Sequence, residues 1–381
     1  MTRRVCWLQP SETALTVRWA FTGDEAEPLI ENARVAWSSD GRATFEPLPR
    51  GVSLDEPTSF VHPATWNAHT HLELSNIRRP PYDATRPQAF TQWLRGVIAD
   101  RSNRRAAVQR GLSESAAAGV EGVCDIVTSP DAIELPDSEV DRVRCFEVLG
   151  LSSDAGHERL QRTIARLTAV GDGISPHAPY SVARDLLAAC VTAAGTRPLA
   201  MHIAEHPAED DLLRTGTGVF RTFLEDLGVY EQSRLASSVD EVLAMMCEAE
   251  RPIVVHGNHL SRPQLKQLAR HDNATLVWCP RTHAYFGFRP HPVAEALSVG
   301  LRVAIGTDSR ASSPTLDPWD DVGWVVRHRP DVAIKEAVAM ATSAPRVMLG
   351  IKTEPRFVLR PLCDPDATEA AAAIFGQRAS R

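Results

Sequence analysis

Two histidines stand one residue apart in Asn67-Ala68-His69-Thr70-His71, at the end of an apolar run that begins at Ala64. Side chains alternate along a strand, so both imidazoles fall on one face, and two imidazoles at that spacing are a ready pair of metal ligands. Other ionisable groups recur at the ends of later apolar runs. His202 and Glu205 lie in His202-Ile203-Ala204-Glu205, His256 follows Val255, and Asp308 closes Gly306-Thr307-Asp308. Scattered surface histidines would not be expected to fall at run ends in this way.

Residue chemistry assigns the roles. His69, His71, His202 and Asp308 offer three nitrogens and a carboxylate to one divalent metal ion and leave a position for water. That is the open arrangement of a catalytic zinc site, and iron or manganese tolerates the same donors. Such an ion lowers the pKa of its water from ~16 towards about 7, giving a hydroxide that attacks an electrophilic carbon. Glu205, three residues past a ligand, is placed to carry protons between that water and a leaving nitrogen. His256 is expected to contact the attacking water or the tetrahedral intermediate, and Asp308 to accept a proton while ligating the metal. Glu73, just after the metal pair, either faces the pocket or binds a loop amide. Trp93 reads as a core helix residue, and Tyr285, Phe286 and Phe288 as base-stacking groups or a packed loop.

These residues need a frame that gathers strand ends. Eight short apolar runs alternate with helical patterns: Ala64 to His69, Gly122 to Val127, Val143 to Leu149, Gly173 to Pro176, Pro198 to Ile203, Pro252 to His256, Ala274 to Cys279 and Val303 to Thr307. Helical periodicity fills Leu186 to Ala194, Arg262 to Arg270 and Val332 to Ala341. Eight βα units predict a (β/α)8 barrel, whose active sites sit at the C-terminal ends of its strands. An open dinucleotide-binding sheet would want a Gly-x-Gly-x-x-Gly after an early strand, and the chain has none. Residues 1–60 alternate apolar and polar positions around Ser38-Ser39-Asp40-Gly41 and predict short antiparallel strands. Phe357-Val358-Leu359, and later Ala371 to Phe375, are expected to return to them. The expected organisation is therefore α/β: a distorted barrel over 61–350, with a small β-sandwich from 1–60 and 351–381.

Composition narrows the partners. The 381 residues suit a barrel of roughly 250 residues plus an appendage. A net charge of -7 argues against nucleic acid, and no stretch reaches the ~20 apolar residues of a membrane span. Arginines at the start precede no apolar core, and seven scattered cysteines contain no Cys-x-x-Cys pair. These features read as a cytoplasmic protein with reduced thiols, acting on a small molecule, with a homodimer admitted.

Asn-Ala-His-Thr-His-Leu-Glu-Leu at 67–74, Ser-Pro-His-Ala-Pro-Tyr at 175–180, His-Ile-Ala-Glu at 202–205, His-Gly-Asn-His-Leu at 256–260 and Gly-Thr-Asp-Ser at 306–309 resemble the amidohydrolase superfamily. Within it they resemble the mononuclear deaminase and chlorohydrolase branch. The resemblance implies one metal per chain, a metal-bearing barrel and a sandwich from both chain ends. It also implies that His177 helps hold the substrate. The binuclear branch uses a carboxylated lysine on the fourth strand, but no lysine here precedes Lys266, which excludes that site. The family often has Ser-Asn where this chain has Thr282-His283. Arg310 replaces a leucine in a loop expected to line the pocket, and Ser309 of that loop is expected to touch substrate. The usual Pro-Gly-x-x-Ala-Asp turn is absent near the C-terminal end, which implies a reduced sandwich.

The leading expectation is hydrolytic deamination of an aminopurine nucleoside, aminodeoxyfutalosine before methylthioadenosine or adenosine, with release of ammonia. Guanine deaminase and a triazine-type chlorohydrolase share the same metal-binding residues and are the alternatives. A non-catalytic scaffold is the remote alternative, disfavoured because all four ligands and Glu205 are present. A nucleic-acid base deaminase would want His-x-Glu with Pro-Cys-x-x-Cys, and the chain lacks the latter.

Overall fold

All eight apolar runs become strands of one parallel sheet. The computed structural model describes residues 5–8, 14–23, 29–38, 42–100, 103–128, 138–151, 153–167 and 171–361. The chain begins with β1 (Cys6–Leu8), β2 (Leu15–Phe21), β3 (Leu29–Trp37), β4 (Ala43–Pro47) and β5 (Glu56–Pro63). It then crosses at Ala64 into β6 (Thr65–Thr70), β7 (Val120–Val127), β8 (Asp141–Val148), β9 (Gly173–Pro176), β10 (Pro198–Ile203), β11 (Arg251–His256), β12 (Thr275–Trp278) and β13 (Arg302–Ile305). These eight pair in sequence order, all parallel. A bridge between Thr70 and Asp308 joins the two ends into a barrel.

Parallel strands buried on both faces read as continuous apolar runs, which is why they are legible. Every residue of β6, β7 and β10 is buried. The helices cover the outside with one apolar stripe each. In Arg184–Ala194 that stripe is Leu186, Leu187, Cys190, Val191 and Ala194, and Arg262–Ala269 and Ile334–Ala341 also match their expected ranges closely.

The chain ends build a second sheet. The last strand, β14 (Phe357–Pro361), enters between β1 and β5, in the order β1-β14-β5-β2-β3-β4. The expected return of Phe357 to Leu359 thus pairs antiparallel with both neighbours. Pairing is not antiparallel throughout, because β2 and β5 run parallel. A single curled sheet does the work of the expected sandwich: Phe45 of β4 meets Phe357 of β14 at 5.3 Å between rings, over a core of Val17, Ala33, Val35 and Val61. Ala371 to Phe375 lie outside the described residues. Among the described residues, six cysteines are free thiols, and no helix is long and apolar enough to cross a membrane.

Candidate active site

The site begins with a zipper between the first and last barrel strands. Asn67 donates from Nδ2 to Thr307 Oγ1 at 2.7 Å and accepts from the Thr307 N–H at 3.0 Å. Nearby, Thr70 Oγ1 donates to the Asp308 carbonyl at 2.8 Å. Gly306 permits this approach, because a Cβ there would lie 2.8–2.9 Å from His69. Asn67 and Thr70 thereby fix His69 and His71 opposite Asp308. Nε2 of His69 lies 3.7 Å from Asp308 Oδ1, and Nε2 of His71 lies 3.6 Å from it.

His202 enters from β10. Its Nδ1 is 2.8 Å from the His177 carbonyl, an acceptor, so Nδ1 carries the proton and Nε2 presents a lone pair. That Nε2 sits 3.2 Å from Nε2 of His71. Donor atoms of His69, His71 and Asp308 lie within 4.8 Å of one another, as do those of His69, His202 and His256. Both nitrogens of His69 are buried with no hydrogen-bond partner. A buried imidazole left this way costs free energy unless something else satisfies it. Burial, then the neighbouring imidazoles, holds His202 and His256 well below the usual histidine range, which keeps both rings in the neutral form that ligates cations. These residues therefore fit a divalent cation, and the structure brings all four expected ligands and His256 together.

Glu205 is buried beyond the end of β10, with Oε1 3.4 Å from His256 Nε2. Burial, followed by the charges of Asp308 and Glu209, pushes its carboxyl well above the ordinary carboxylate range. Its backbone is held by Glu209, whose carboxylate accepts from the N–H groups of Ala204 at 2.9 Å, Glu205 at 2.8 Å and His206 at 3.1 Å. Burial raises Glu209 itself to about 7. Asn258 donates to the Glu205 carbonyl at 3.0 Å, and His283 Nδ1 braces Asn258 Oδ1 at 2.9 Å. Three residues at this end hold positive φ without being glycine: Ala204 at 52°, His256 at 68° and Asp308 at 58°. Strain of this kind persists only where surrounding contacts impose it, and it clusters at functional sites.

A cavity of about 420 Å³ opens over these groups. His71, His177, His202, Glu205, His256, Asp308 and Ser309 all reach its wall. His177 also meets Ser181 Oγ through Nδ1 at 2.6 Å. Glu73 does not line the cavity, so of its two expected roles it takes the loop amide and not the substrate: its carboxylate accepts from the Thr128 N–H at 2.8 Å and from Thr128 Oγ1 at 2.6 Å. Trp93 does line it while packing against Phe90 and Phe286. Tyr285, Phe286 and Phe288 are not on the wall; Tyr285 donates to the Pro80 carbonyl at 2.6 Å and Phe286 is core.

Sequence reasoning missed the supporting residues. Ser312 Oγ donates to Asp308 Oδ2 at 2.5 Å and shares a hydrogen bond with Thr282 at 2.9 Å. Thr282-His283, noted as a departure from the family, thus braces Asp308 on one side and Glu205 on the other. A carboxylate four residues after Glu205 was the available signal for Glu209.

A model of the amidohydrolase family matches residues 60–354. The chain belongs to the amidohydrolase family. It is accordingly a hydrolase acting on carbon–nitrogen bonds other than peptide bonds. Aminodeoxyfutalosine deaminase of Deinococcus radiodurans is 28% identical over 328 residues, covering 77% of this chain and 74% of the relative. The 5-methylthioadenosine/S-adenosylhomocysteine deaminase of Pyrococcus furiosus is 26% identical over 333 residues, covering 80% and 74%. Among solved structures, Helicobacter pylori aminofutalosine deaminase in complex with methylthio-coformycin superposes with a TM-score of 0.78 at 19% identity, covering 95% of this chain and 96% of that one. That likeness shows the fold.

Proposed function

We propose that this amidohydrolase removes the 6-amino group of a purine nucleoside as ammonia, with aminodeoxyfutalosine first among substrates, then methylthioadenosine and adenosine. The observation that carries the reading is one cavity whose wall joins buried Glu205 to His71, His202 and Asp308, which cluster with His69, an imidazole whose nitrogens have no hydrogen-bond partner. The names of the relatives support the nucleoside class, since those reported above act on adenine-type nucleosides.

His69, His71, His202 and Asp308 would hold one divalent ion, zinc first given the nitrogen-rich donor set. When bound, that ion supplies a water acidified towards neutrality. The rest falls to the protein's own groups. Water and the amine become a carbonyl and ammonia, so the two water protons must end on the ring nitrogen beside the reacting carbon and on the leaving amine. Glu205, with its raised affinity for a proton, carries one of them, and Asp308 accepts the other. His256 contacts the attacking oxygen. His177 and Ser309 grip the non-reacting part of the substrate, which positions the reacting carbon.

The test is ammonia release by zinc-loaded protein from aminodeoxyfutalosine, methylthioadenosine, adenosine, adenine and guanine, with chloride release from a chlorotriazine measured beside it. Nucleoside turnover well above that of the free bases supports the proposal. Turnover of guanine or the chlorotriazine alone refutes it.

A further inference from the structure

His291 takes no part in the cavity wall, yet it reaches the backbone of a residue that does. Its Nε2 lies 2.9 Å from the carbonyl oxygen of His256. That oxygen only accepts, so Nε2 carries the ring proton and donates it. Burial, followed by the neighbouring His283 imidazole, holds His291 well below the usual histidine range, so the ring is neutral and has one N–H. Its Nδ1 is buried with no hydrogen-bond partner. The ring commits its single donor to this one carbonyl.

Local sequence makes His291 a stiff donor. It stands between two prolines in Pro290-His291-Pro292. Pro290 has a fixed φ, and Pro292 pushes the residue before it toward extended backbone. Pro292 is also the N-cap of the helix Val293–Ser298. The imidazole is stacked on Trp278 at the end of β12, with 4.7 Å between centroids and 14° between planes. Arg329 donates to the His291 carbonyl at 2.8 Å and pairs with Asp331 at 2.7 Å. Ring plane and backbone are thus both held from outside the cavity.

The carbonyl that His291 binds belongs to a residue in an uncommon conformation. His256 ends β11 with φ at 68°, a left-handed value that a residue other than glycine holds only where contacts impose it. In this conformation its ring reaches the cavity wall, with Nε2 3.4 Å from Glu205 Oε1 and the ring stacked 5.4 Å from that of His202. Relaxing φ to a negative value would turn the carbonyl and the side chain together relative to β11. Holding the carbonyl therefore holds the imidazole.

Resting on the role given to His256 above, we infer that His291 is a positioning residue: through the His256 carbonyl it maintains the strained turn that aims the His256 imidazole at the attacking oxygen and Glu205. His291 itself touches neither substrate nor metal, so its contribution falls on kcat.

The test compares His291→Leu, which fills the space without a donor, with His291→Gln, whose amide can donate to the same carbonyl. In His291→Leu, kcat per folded molecule should fall by about 10–100-fold, the scale of misplacing a reacting group by an ångström, with KM and zinc content little changed. His291→Gln should recover most of that loss. A crystal structure of His291→Leu should show His256 out of the left-handed region or its Nε2 drawn away from Glu205. A merely structural role would lower stability and leave kcat per folded molecule unchanged. That result, an unmoved His256 in His291→Leu, or a His291→Gln as slow as His291→Leu overturns the inference. If His291→Leu does not fold, His291→Asn takes its place, since its shorter amide stays polar but stops short of the carbonyl. If the wild type deaminates no nucleoside, the deaminase reading fails, and the position of His256 in the crystal structure alone decides the inference.

Discussion

Two clusters of buried histidine, aspartate and arginine or glutamate sit in this molecule, and they differ in whether they complete themselves. At the junction of the small sheet with the barrel, His62 Nδ1 donates to the Pro63 carbonyl at 2.7 Å, and its Nε2 accepts from Arg360 at 3.3 Å. Arg360 also binds Asp317 at 2.8 Å and the Ala118 carbonyl at 2.7 Å, and the His62 ring stacks on Trp319 at 4.2 Å. At the C-terminal end of the barrel, His69 has no hydrogen-bond partner on either nitrogen, and His71 and His202 face each other through Nε2. The first cluster is a clamp, in which His62, Arg360 and Asp317 are satisfied by one another and by nearby carbonyls. The second leaves His69 without a hydrogen-bond partner, and the surrounding contacts hold Ala204, His256 and Asp308 at strained positive φ around it.

The largest effect should come from breaking the incomplete cluster. Glu205→Gln removes the proton carrier while keeping its size, and should lower turnover by about 10²–10⁴-fold with metal content unchanged by elemental analysis. Near-normal turnover would remove Glu205 from the mechanism. His69→Ala/His71→Ala should lose the metal as well as activity. In the wild type, metal at ~100 times its Kd should add about 2.7 kcal/mol of stability, and a chelator should abolish that gain. A chelator that shifts the Tm of the double variant equally would show that the ion binds elsewhere.

Breaking the clamp should act on stability instead. Arg360→Ala leaves Asp317 buried without its partner, at a cost of about 3–5 kcal/mol by denaturant titration. Activity per folded molecule should persist at temperatures where the variant stays folded. A fall in kcat without a fall in stability would mean that the two clusters are coupled.

A positioning residue should give a smaller effect. Glu209 touches the backbone of Ala204, Glu205 and His206 rather than the cavity groups. Glu209→Gln replaces an acceptor oxygen by a donor and should lower kcat by about tenfold, the scale of misplacing a catalytic group rather than deleting it, with KM and metal content little changed. An equal fall in Glu205→Gln and Glu209→Gln would give Glu209 a direct part in the chemistry.

The smallest effect is expected from pH at the clamp. Burial, with Arg360 nearby, holds His62 well below its ordinary value of 6.5. A histidine with a depressed folded-state pKa contributes stability that is present above pH 6.5 and is lost as pH falls below it, because the unfolded chain takes up the proton first. Wild type should therefore lose stability faster than His62→Phe between pH 6.5 and 5, by at most about 1.4 kcal/mol per pH unit. Parallel curves for the two proteins would show that His62 does not titrate on unfolding.

Local residue order was enough to read the strands and the groups at their ends. Parallel barrel strands are buried on both faces, so each is a local apolar run, and His69, His71, His202, His256 and Asp308 are legible as the polar residues that close such runs. What each neighbouring polar group is for emerged only when the barrel closed. Glu73 lies two residues from a ligand yet serves Thr128, while Ser312 and His283 brace Asp308 and, through Asn258, Glu205. The apolar part of the cavity wall is likewise invisible in one dimension, since Ile98, Leu149 and Leu227 come from three distant segments. The physical reason is the range of the interaction. Burial periodicity is written into consecutive residues, whereas a hydrogen-bond partner or a cavity wall is set by which loops the closed barrel brings side by side.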